Sequence, residues 1–451
     1  MLNGRWIKLP AVVLIAASLA ACGGGAGGSD PGSKASVAEQ GGEGSGPGKK
    51  PSGEPVEIVF YSDNGDPQES FEYRYGDLLR KKFPQYKISY IQAQKGAYLN
   101  DLLMNGTKFD IFYATIGNFE WAMLENELQF DMTELIKKHN VDLNRIEPSL
   151  LEALQQMQGG KMYALPIATA NMVLYYNKDL FDKFGVSYPT DDMTWEQTLE
   201  MSKKLTRKED STQYFGFATS FPHIIRMNPL SIPNVDLKTW KPTIHTDERW
   251  KTFFKTFFID PAQDAGYQGY MQSTNSIPGL NQFVKDQTVA MYAYLSSLIY
   301  AWPTEMQSFN WDWAALPHFK ESPGFGSQSY PFYFGITKRS THPDEAMEVL
   351  KYMLSDEVQA SLSGKGIMPA VKTNDVIGKF GKESPFHNRR MQAAFHNKFA
   401  PIPPKAVYDA NIVNIYVKYA NAVHKNEMDL NTALSRADEE AAKFIADYKQ
   451  K

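Results

Sequence analysis

The stretch Val56–Pro67, with the sequence VEIVFYSDNGDP, decides the fold of this chain. Its first six residues are rich in β-branched and aromatic types and predict a buried strand, and the polar residues after Tyr61 predict a turn. A helical segment, Glu69–Phe83, follows and is expected to end near Pro84. Strand, turn and helix in this order form the first unit of an α/β fold.

The same order continues along the chain. Tyr86–Gln92 predicts a second strand and Phe109–Ala114 (FDIFYA) a third, with a helical stretch, Tyr98–Met104, between them. Such alternation predicts a parallel sheet with helices on its faces. Further segments agree: a capped helix after Thr194, a strand ending at Tyr294, a helix from Pro343, and helices from about Ala406 to Tyr448 that are split near Asn426–Asn431.

Composition narrows the function. The chain has 451 residues, of which 43% are hydrophobic, so two domains are expected. A formal charge of −4 offers no basic field for nucleic acid. A single cysteine excludes a disulfide scaffold, and no catalytic, nucleotide-binding or metal-binding motif with a fitting context occurs. We therefore expect no cofactor and no enzyme, although a hydrolase that uses two distant carboxylates remains an alternative.

Residues 1–21 are predicted to be a lipoprotein signal peptide. Arg5 and Lys8 give a basic start, and the apolar run Ala11–Ala20 follows. Ten residues are too few to span a hydrocarbon core of ~30 Å, which needs about 20. The segment is therefore an export signal and no part of the fold.

Cys22, the only cysteine, follows Leu19-Ala20-Ala21. This sequence resembles the bacterial lipoprotein box, in which the signal is cut before the cysteine and lipid is attached to it. A plain secretion signal is the alternative. Residues 22–55 then form a tether, because Gly23–Pro55 contains 12 Gly, 5 Ser and 4 Pro and has no apolar period. The expected location is the extracytoplasmic face of the cell membrane, held there by lipid.

Two blocks carry a family resemblance: Gly160–Ile167 (GKMYALPI) and Val173–Phe181 (VLYYNKDLF). They resemble family 1 of the extracellular solute-binding proteins, the substrate-binding lipoproteins of ABC importers, which include maltose-binding and other sugar-binding proteins. Further blocks agree in family order: Thr288–Met291 (TVAM), Trp311–Pro317 (WDWAALP), and Phe334–Ile336 leading into His342–Ser355. The similarity extends from about Glu57 to the C-terminus.

The resemblance implies a two-lobed α/β fold of the periplasmic-binding-protein type II, with the ligand cleft between the lobes and several crossings of the chain. Carried onto this sequence, lobe one comprises residues 56–168 and 330–365, and lobe two comprises residues 172–325 and 367–451. The crossings are expected near Thr169–Val173, Lys320–Tyr330 and Ser363–Pro369.

Ligands of open α/β sheets bind beyond the carboxyl ends of strands. That rule selects the loops after the first and third strands, and the resemblance implies the same loops and adds residues at the crossings and after the TVAM strand. Phe221, after a predicted strand at Tyr214–Ala218, is a further candidate. The substrate-binding candidates are Tyr61, Asp63, Asn64, Thr115, Asn118, Thr169, Asn171, Phe221, Tyr294, Ser296, Tyr330 and Phe332.

These residue types suit sugars, because carboxylates and amides bond hydroxyls and tyrosine rings pack on C–H faces. The resemblance implies a monomer that captures a saccharide or oligosaccharide and delivers it to the membrane subunits of an ABC permease. Two stretches depart from the usual sugar binders, Gly326–Pro331 and Tyr294–Ser297, where many carry Gly-Pro-Trp. A peptide, a polyamine or a modified sugar therefore stays open as ligand, as do a cell-surface polysaccharide hydrolase and a sensory role.

Overall fold

The computed structural model describes residues 55–157 and 159–450. The predicted signal peptide, the predicted lipidation site Cys22 and the predicted tether up to residue 54 lie outside the described residues. Within the described ranges, each helix is too short or too polar to cross a lipid bilayer.

The strands are short and distributed along the whole described chain. Their bounds are β1 Val56–Ser62, β2 Tyr86–Gln92, β3 Ile111–Thr115, β4 Leu165–Thr169, β5 Met172–Asn177, β6 Arg207–Glu209, β7 Thr212–Thr219, β8 Val235–Asp236, β9 Lys241–Pro242, β10 Val289–Leu295, β11 Trp311–Ala315, β12 Phe325–Gln328, β13 Phe332–Ile336, β14 Met368–Pro369 and β15 Lys398–Ala400.

Helices fill most of the intervals between the strands. Their bounds are α1 Gln68–Phe71, α2 Asp77–Lys82, α3 Leu99–Met104, α4 Asn118–Glu125, α5 Thr133–Lys138, α6 Pro148–Met157, α7 Lys178–Phe184, α8 Trp195–Leu205, α9 Phe221–Arg226, α10 Arg249–Phe254, α11 Ala265–Thr274, α12 Leu280–Val284, α13 Leu298–Ala301, α14 Pro303–Met306, α15 Pro343–Met353, α16 Asp356–Gly364, α17 Asn374–Gly378, α18 Asp409–His424 and α19 Leu430–Lys449. Five short turns of other helical types complete them: π-helical Glu72–Gly76 and Lys255–Ile259, and 3₁₀ Leu143–Arg145, Asp260–Ala262 and Met391–Phe395.

The first sheet has the strand order β14-β4-β13-β3-β1-β2. β1 runs parallel to β2 and β3, as the sequence predicts, but β13 runs antiparallel to β3 and β4. The expectation of a purely parallel sheet is therefore wrong for this half. The physical reason is that β13 enters the sheet at the edge where β3 and β4 end, because the chain arrives there from the second sheet.

The second sheet has the order β11-β5-β10-β7-β6. β10 is parallel to β7, whereas β5 is antiparallel to β10 and β11. Phe217, Met291 and Ala293 are fully or almost fully buried on the central strands. Because each sheet is covered by helices, the described chain forms two α/β lobes, one around each sheet.

Two of the crossings between the sheets lie side by side. The first is Ala170 and Asn171 between β4 and β5, and the second is Ser329–Pro331 between β12 and β13. The crossings are bonded to each other: the Tyr330 N–H donates to the Ala170 oxygen at 2.7 Å, and the Ala170 N–H donates to the Tyr330 oxygen at 3.2 Å. This reciprocal pair fixes the two segments side by side.

The third crossing lies further along the chain than the sequence analysis places it. Residues 367–451 were assigned to the second lobe, but Met368 and Pro369 pair with β4 in the first sheet. The buried Gln359 explains this, because its Oε1 accepts the N–H groups of Ala370 and Val371 at 3.0 and 3.1 Å. The chain reaches the second sheet near Arg390, whose N–H donates to Asp312 on β11 at 2.8 Å.

Candidate ligand-binding site

The edges of the two sheets meet at the crossings. β1, β3 and β4 end at one edge of the first sheet, where β13 begins with Phe332 opposite Thr115. β7 and β10 end at the facing edge of the second sheet, where Leu295 pairs with Met172 at the start of β5. Most of the predicted site residues are at or next to these strand ends. The topology therefore brings them to the boundary between the two sheet edges, which we call the seam.

Buried polar groups hold the first crossing in place. The Asn171 N–H lies 3.3 Å from Ser296 Oγ, the Ser296 N–H donates to the Asn171 oxygen at 2.8 Å, and Asn171 Nδ2 donates to the Ala394 oxygen at 2.7 Å. Thr169 Oγ1 donates to the Ala170 oxygen at 3.2 Å. Asn171 Oδ1 is buried without a partner among the described residues, so its capacity to accept a hydrogen bond is unused.

Four rings form an aromatic wall beside the crossings: His223, Tyr294, Tyr330 and Phe332. The His223 ring lies 5.1 Å from the Tyr294 ring and 6.0 Å from the Tyr330 ring, and Tyr330 lies 6.3 Å from Phe332. Each pair is close to perpendicular, at 76–82°, which is a favoured arrangement of aromatic rings. Tyr330 is buried and the other three are half-buried, so the wall offers ring surface to the seam.

His223 and Arg226 belong to this site although the sequence analysis did not select them. Ser220 Oγ lies 2.7 Å from His223 Nδ1, and Arg226 Nη1 donates to the Tyr330 hydroxyl at 2.9 Å. Burial, together with the nearby charge of Arg226, lowers the pKa of His223 to about 4, so the ring is neutral at pH 7. The available signal was their i, i+3 spacing, which puts both on one helix face.

Phe221 has a different environment. Its ring lies 4.5 Å from Phe258 and 5.0 Å from His424 and contacts no ring of the aromatic wall. At 6% exposure it packs in the interior of the second lobe. It helps to position α9, which carries His223 and Arg226.

On the first-lobe edge, Tyr61 is fully buried between Phe109 at 5.2 Å and Phe112 at 5.9 Å. Its hydroxyl donates to Asp63 Oδ1 at 3.2 Å. Burial and the Asp63 carboxylate raise the pKa of Tyr61, which keeps the phenol protonated. The Tyr61 ring therefore belongs to the core, while its hydroxyl orients the exposed Asp63. Asn64 is half-buried, and its N–H donates to Ser62 Oγ at 3.2 Å.

An ion pair adjoins that loop and was also missed. Arg74 Nη2 lies 2.8 Å from Asp66 Oδ2, and Tyr113 donates to the same oxygen at 3.4 Å. Tyr300, from the second lobe, lines a cavity together with Tyr73, the neighbour of Arg74 in the chain. Two lobes thus contribute polar groups here.

The loop after β3 ends in α4. Thr115 is buried at the end of β3, and Asn118 is half-buried at the first position of the helix. Glu120 is buried, and its Oε2 accepts the Gly117 N–H at 2.6 Å. Burial raises the pKa of Glu120 to about 7, opposed by that hydrogen bond and by the charge of Lys405. Among residues 55–157 and 159–450, no cluster of three or more His, Cys, Asp or Glu side chains could hold a metal ion.

Residues 64–360 match the sequence family of bacterial extracellular solute-binding proteins. The chain belongs to this family. The family resemblance inferred from the sequence is thereby confirmed. Members of this family are binding proteins, and membership fits a location outside the cytoplasm.

A curated relative is the mannitol-binding protein of Pseudomonas aeruginosa, which is 27% identical over 146 residues. That alignment spans 31% of this chain and 32% of the relative, so the chain matches about a third of the relative's length.

Solved structures confirm the two-lobed fold. An ABC substrate-binding protein from Listeria monocytogenes in complex with cycloalternan superposes with a TM-score of 0.69 and 18% identity, over 87% of this chain and 100% of that one. A sugar transporter from Rhizobium etli in an open conformation superposes with a TM-score of 0.66 and 21% identity, over 86% of this chain and 99% of that one. A solute-binding protein from Agrobacterium vitis with bound D-mannitol superposes with a TM-score of 0.60 and 16% identity, over 87% of this chain and 99% of that one.

Proposed function

We propose that this chain is the substrate-binding component of an ABC importer and takes a saccharide or oligosaccharide. The observation that carries the proposal is the aromatic wall beside the unpartnered Asn171 Oδ1. Aromatic faces pack on the C–H groups of a sugar ring, and an amide oxygen accepts a hydrogen bond from a hydroxyl. The Asp63 carboxylate and the Asn64 amide, on the first-lobe edge, supply further partners.

Binding couples to closure of the lobes. A ligand that touches both sheet edges binds the closed state better than the open one and so shifts the population toward closure. The closed form is then presented to the membrane subunits of the permease. A micromolar affinity corresponds to about −8 kcal/mol, which leaves release possible.

The relatives support the saccharide class. The Listeria monocytogenes and Agrobacterium vitis proteins were solved with cycloalternan and with D-mannitol bound, and the relative matched over a third of its length is a mannitol-binding protein. Each of these ligands is a polyhydroxylated carbohydrate or sugar alcohol.

A thermal-shift screen of the full-length chain tests the ligand class, using mono- and oligosaccharides, peptides and polyamines. A ligand that binds the native state raises the melting temperature in proportion to ln(1 + [L]/Kd). We expect a shift with saccharides and no new product on chromatography. A hit confined to peptides or polyamines contradicts the saccharide class, and cleavage of the sugar indicates a hydrolase.

Tyr294→Ala tests the site. Loss of the half-buried ring should raise Kd for the saccharide found in the screen about tenfold, because a ring contact contributes roughly 1 kcal/mol beyond its buried area. Tyr188→Ala, which removes a 37% exposed tyrosine next to α7, is the matched control and should leave Kd unchanged. Equal Kd values for the two variants would remove Tyr294 from the site.

We also propose that the chain acts as a monomer and that lipid on Cys22 holds it at the extracytoplasmic face of the membrane. Cys22→Ser should move it from the membrane fraction to the soluble fraction, because the acyl chains are the anchor. Ser29→Ala in the same tether is the control. Membrane retention of Cys22→Ser would show that another element anchors the chain.

A further inference from the structure

We propose that the saccharide carries a carboxylate, as a uronic acid does, and that the Arg226 guanidinium binds it. The inference rests on the proposed function and deepens it, since it names the chemical class of ligand for the same site. It follows from the position of Arg226, from its lack of a counter-ion and from the pairing of the other cations near the seam.

Arg226 is the last residue of α9, is half-buried and lies next to Tyr330 of the aromatic wall. Its Nη1 donates to the Tyr330 hydroxyl at 2.9 Å, and its Cζ lies 6.0 Å from the centre of the Tyr330 ring. Nε is buried and has no partner. A guanidinium has five N–H groups, so most of its donors are unused within the described chain.

Two buried cations near the seam, Arg74 and Lys405, are neutralised. Arg74 lies 2.8 Å from Asp66. Lys405 Nζ lies 3.4 Å from Asp409 Oδ2, a carboxylate that also accepts two contacts of 3.1 Å from Asn234 Nδ2. Arg226, in contrast, forms no ion pair with any carboxylate of the described residues.

An uncompensated cation in a partly desolvated position is costly, and the cost falls when an anion binds to it. The planar guanidinium matches a carboxylate through paired N–H···O bonds. His223 adds no charge at neutral pH, because burial and Arg226 keep its pKa near 4. Arg226 therefore supplies one positive charge beside the aromatic wall. One positive charge fits one carboxylate better than it fits the two negative charges of a phosphate.

Isothermal titration of the full-length chain with matched ligands tests this. The probes are the disaccharides of galacturonate, glucuronate, mannuronate and guluronate, each compared with its own methyl ester, and galactose 6-phosphate. We expect at least one acid to bind about tenfold or more tightly than its ester, since hydrogen bonds to charged groups contribute more than neutral ones. The preference should shrink as salt is raised.

The outcomes are distinct. Esters that bind as tightly as their acids, or neutral sugars that bind while no acid does, overturn the inference and leave the proposed function in place. Tighter binding of the sugar phosphate overturns the assignment to a carboxylate. If no saccharide binds, acidic or neutral, both the inference and the proposed function fail.

Arg226→Gln should raise Kd for the acid more than Kd for the ester, so that the preference for the acid over its ester is lost. Arg226→Lys should keep part of the preference for the acid, because lysine retains the positive charge but lacks the paired N–H groups of the guanidinium. Arg436→Gln, at an exposed position of α19 without an ion pair, is the control and should behave as wild type. Should Arg226→Gln not fold, the acid-to-ester ratio and its salt dependence in the wild-type chain decide the question.

Discussion

Glu120, a buried residue after β3, is expected to make the stability of the chain depend on pH. Its carboxyl group is 2% exposed, and burial raises its pKa to about 7, so the folded chain binds this proton more tightly than the unfolded chain does. Stability is therefore greatest when the group is protonated, and it falls as pH rises from about 4.5 to about 7.

We expect Glu120→Gln to remove this pH dependence. Relative to the variant, the wild type should lose on the order of 3 kcal/mol of unfolding free energy between pH 4.5 and 7.5. Urea denaturation across that range measures the difference, with Glu321→Gln, at an exposed position, as control. Parallel stability curves for Glu120→Gln and wild type would show that the carboxyl is not the source.

Local sequence signals predicted the secondary structure well. The strand Tyr86–Gln92 has the predicted bounds, and the capping box at Thr194 is confirmed: Thr194 Oγ1 accepts the Gln197 N–H at 3.3 Å, and Gln197 Oε1 accepts the Thr194 N–H at 2.9 Å. Such features depend on residues that are close in sequence, so periodicity and capping residues reveal them.

Features set by tertiary structure were less accessible. The predicted helix Glu69–Phe83 is interrupted by the π-helical turn Glu72–Gly76, where the buried Arg74 pairs with Asp66. A shift of one residue in the hydrogen-bond pattern leaves no periodic signal in the sequence, and such turns are frequent at functional sites. The direction of β13 depends likewise on where the chain re-enters the sheet.

Part of the candidate site could be predicted from the sequence, because several of its residues lie at strand ends. Strand ends are visible in the sequence, so Asp63, Thr115 and Tyr294 could be selected before their positions were known. His223 and Arg226 lie on a short helix, and only packing against Tyr330 brings them to the seam. Binding by these residues remains a prediction.

At the scale of the whole molecule, the lobes also touch away from the crossings. Trp121 on α4 of the first lobe lies 6.1 Å from Tyr448 on α19, which belongs to the second. The Tyr448 hydroxyl donates to Glu125, one turn further along α4. A rotation of one lobe against the other would move these groups and change the surroundings of the Trp121 indole.

Ligand binding should therefore change the tryptophan fluorescence, and Trp121→Phe should abolish most of that change while ligand affinity is kept. Trp240→Phe is the control, because Trp240 is 41% exposed in the second lobe and contacts Lys449 of the same lobe. A ligand-induced change that persists in Trp121→Phe would mean that another tryptophan reports ligand binding, and it would contradict the prediction for Trp121.

The reciprocal hydrogen bonds between Ala170 and Tyr330 have a mechanical consequence. Two crossing segments joined in this way can bend together, but they cannot slide along each other without breaking both bonds, so sliding is suppressed and rotation remains. We therefore expect the lobes to move mainly by rotation about these two segments. A swing of that kind returns the same side chains to the same positions each time, which lets a pair of rigid bodies recognise a small solute reproducibly.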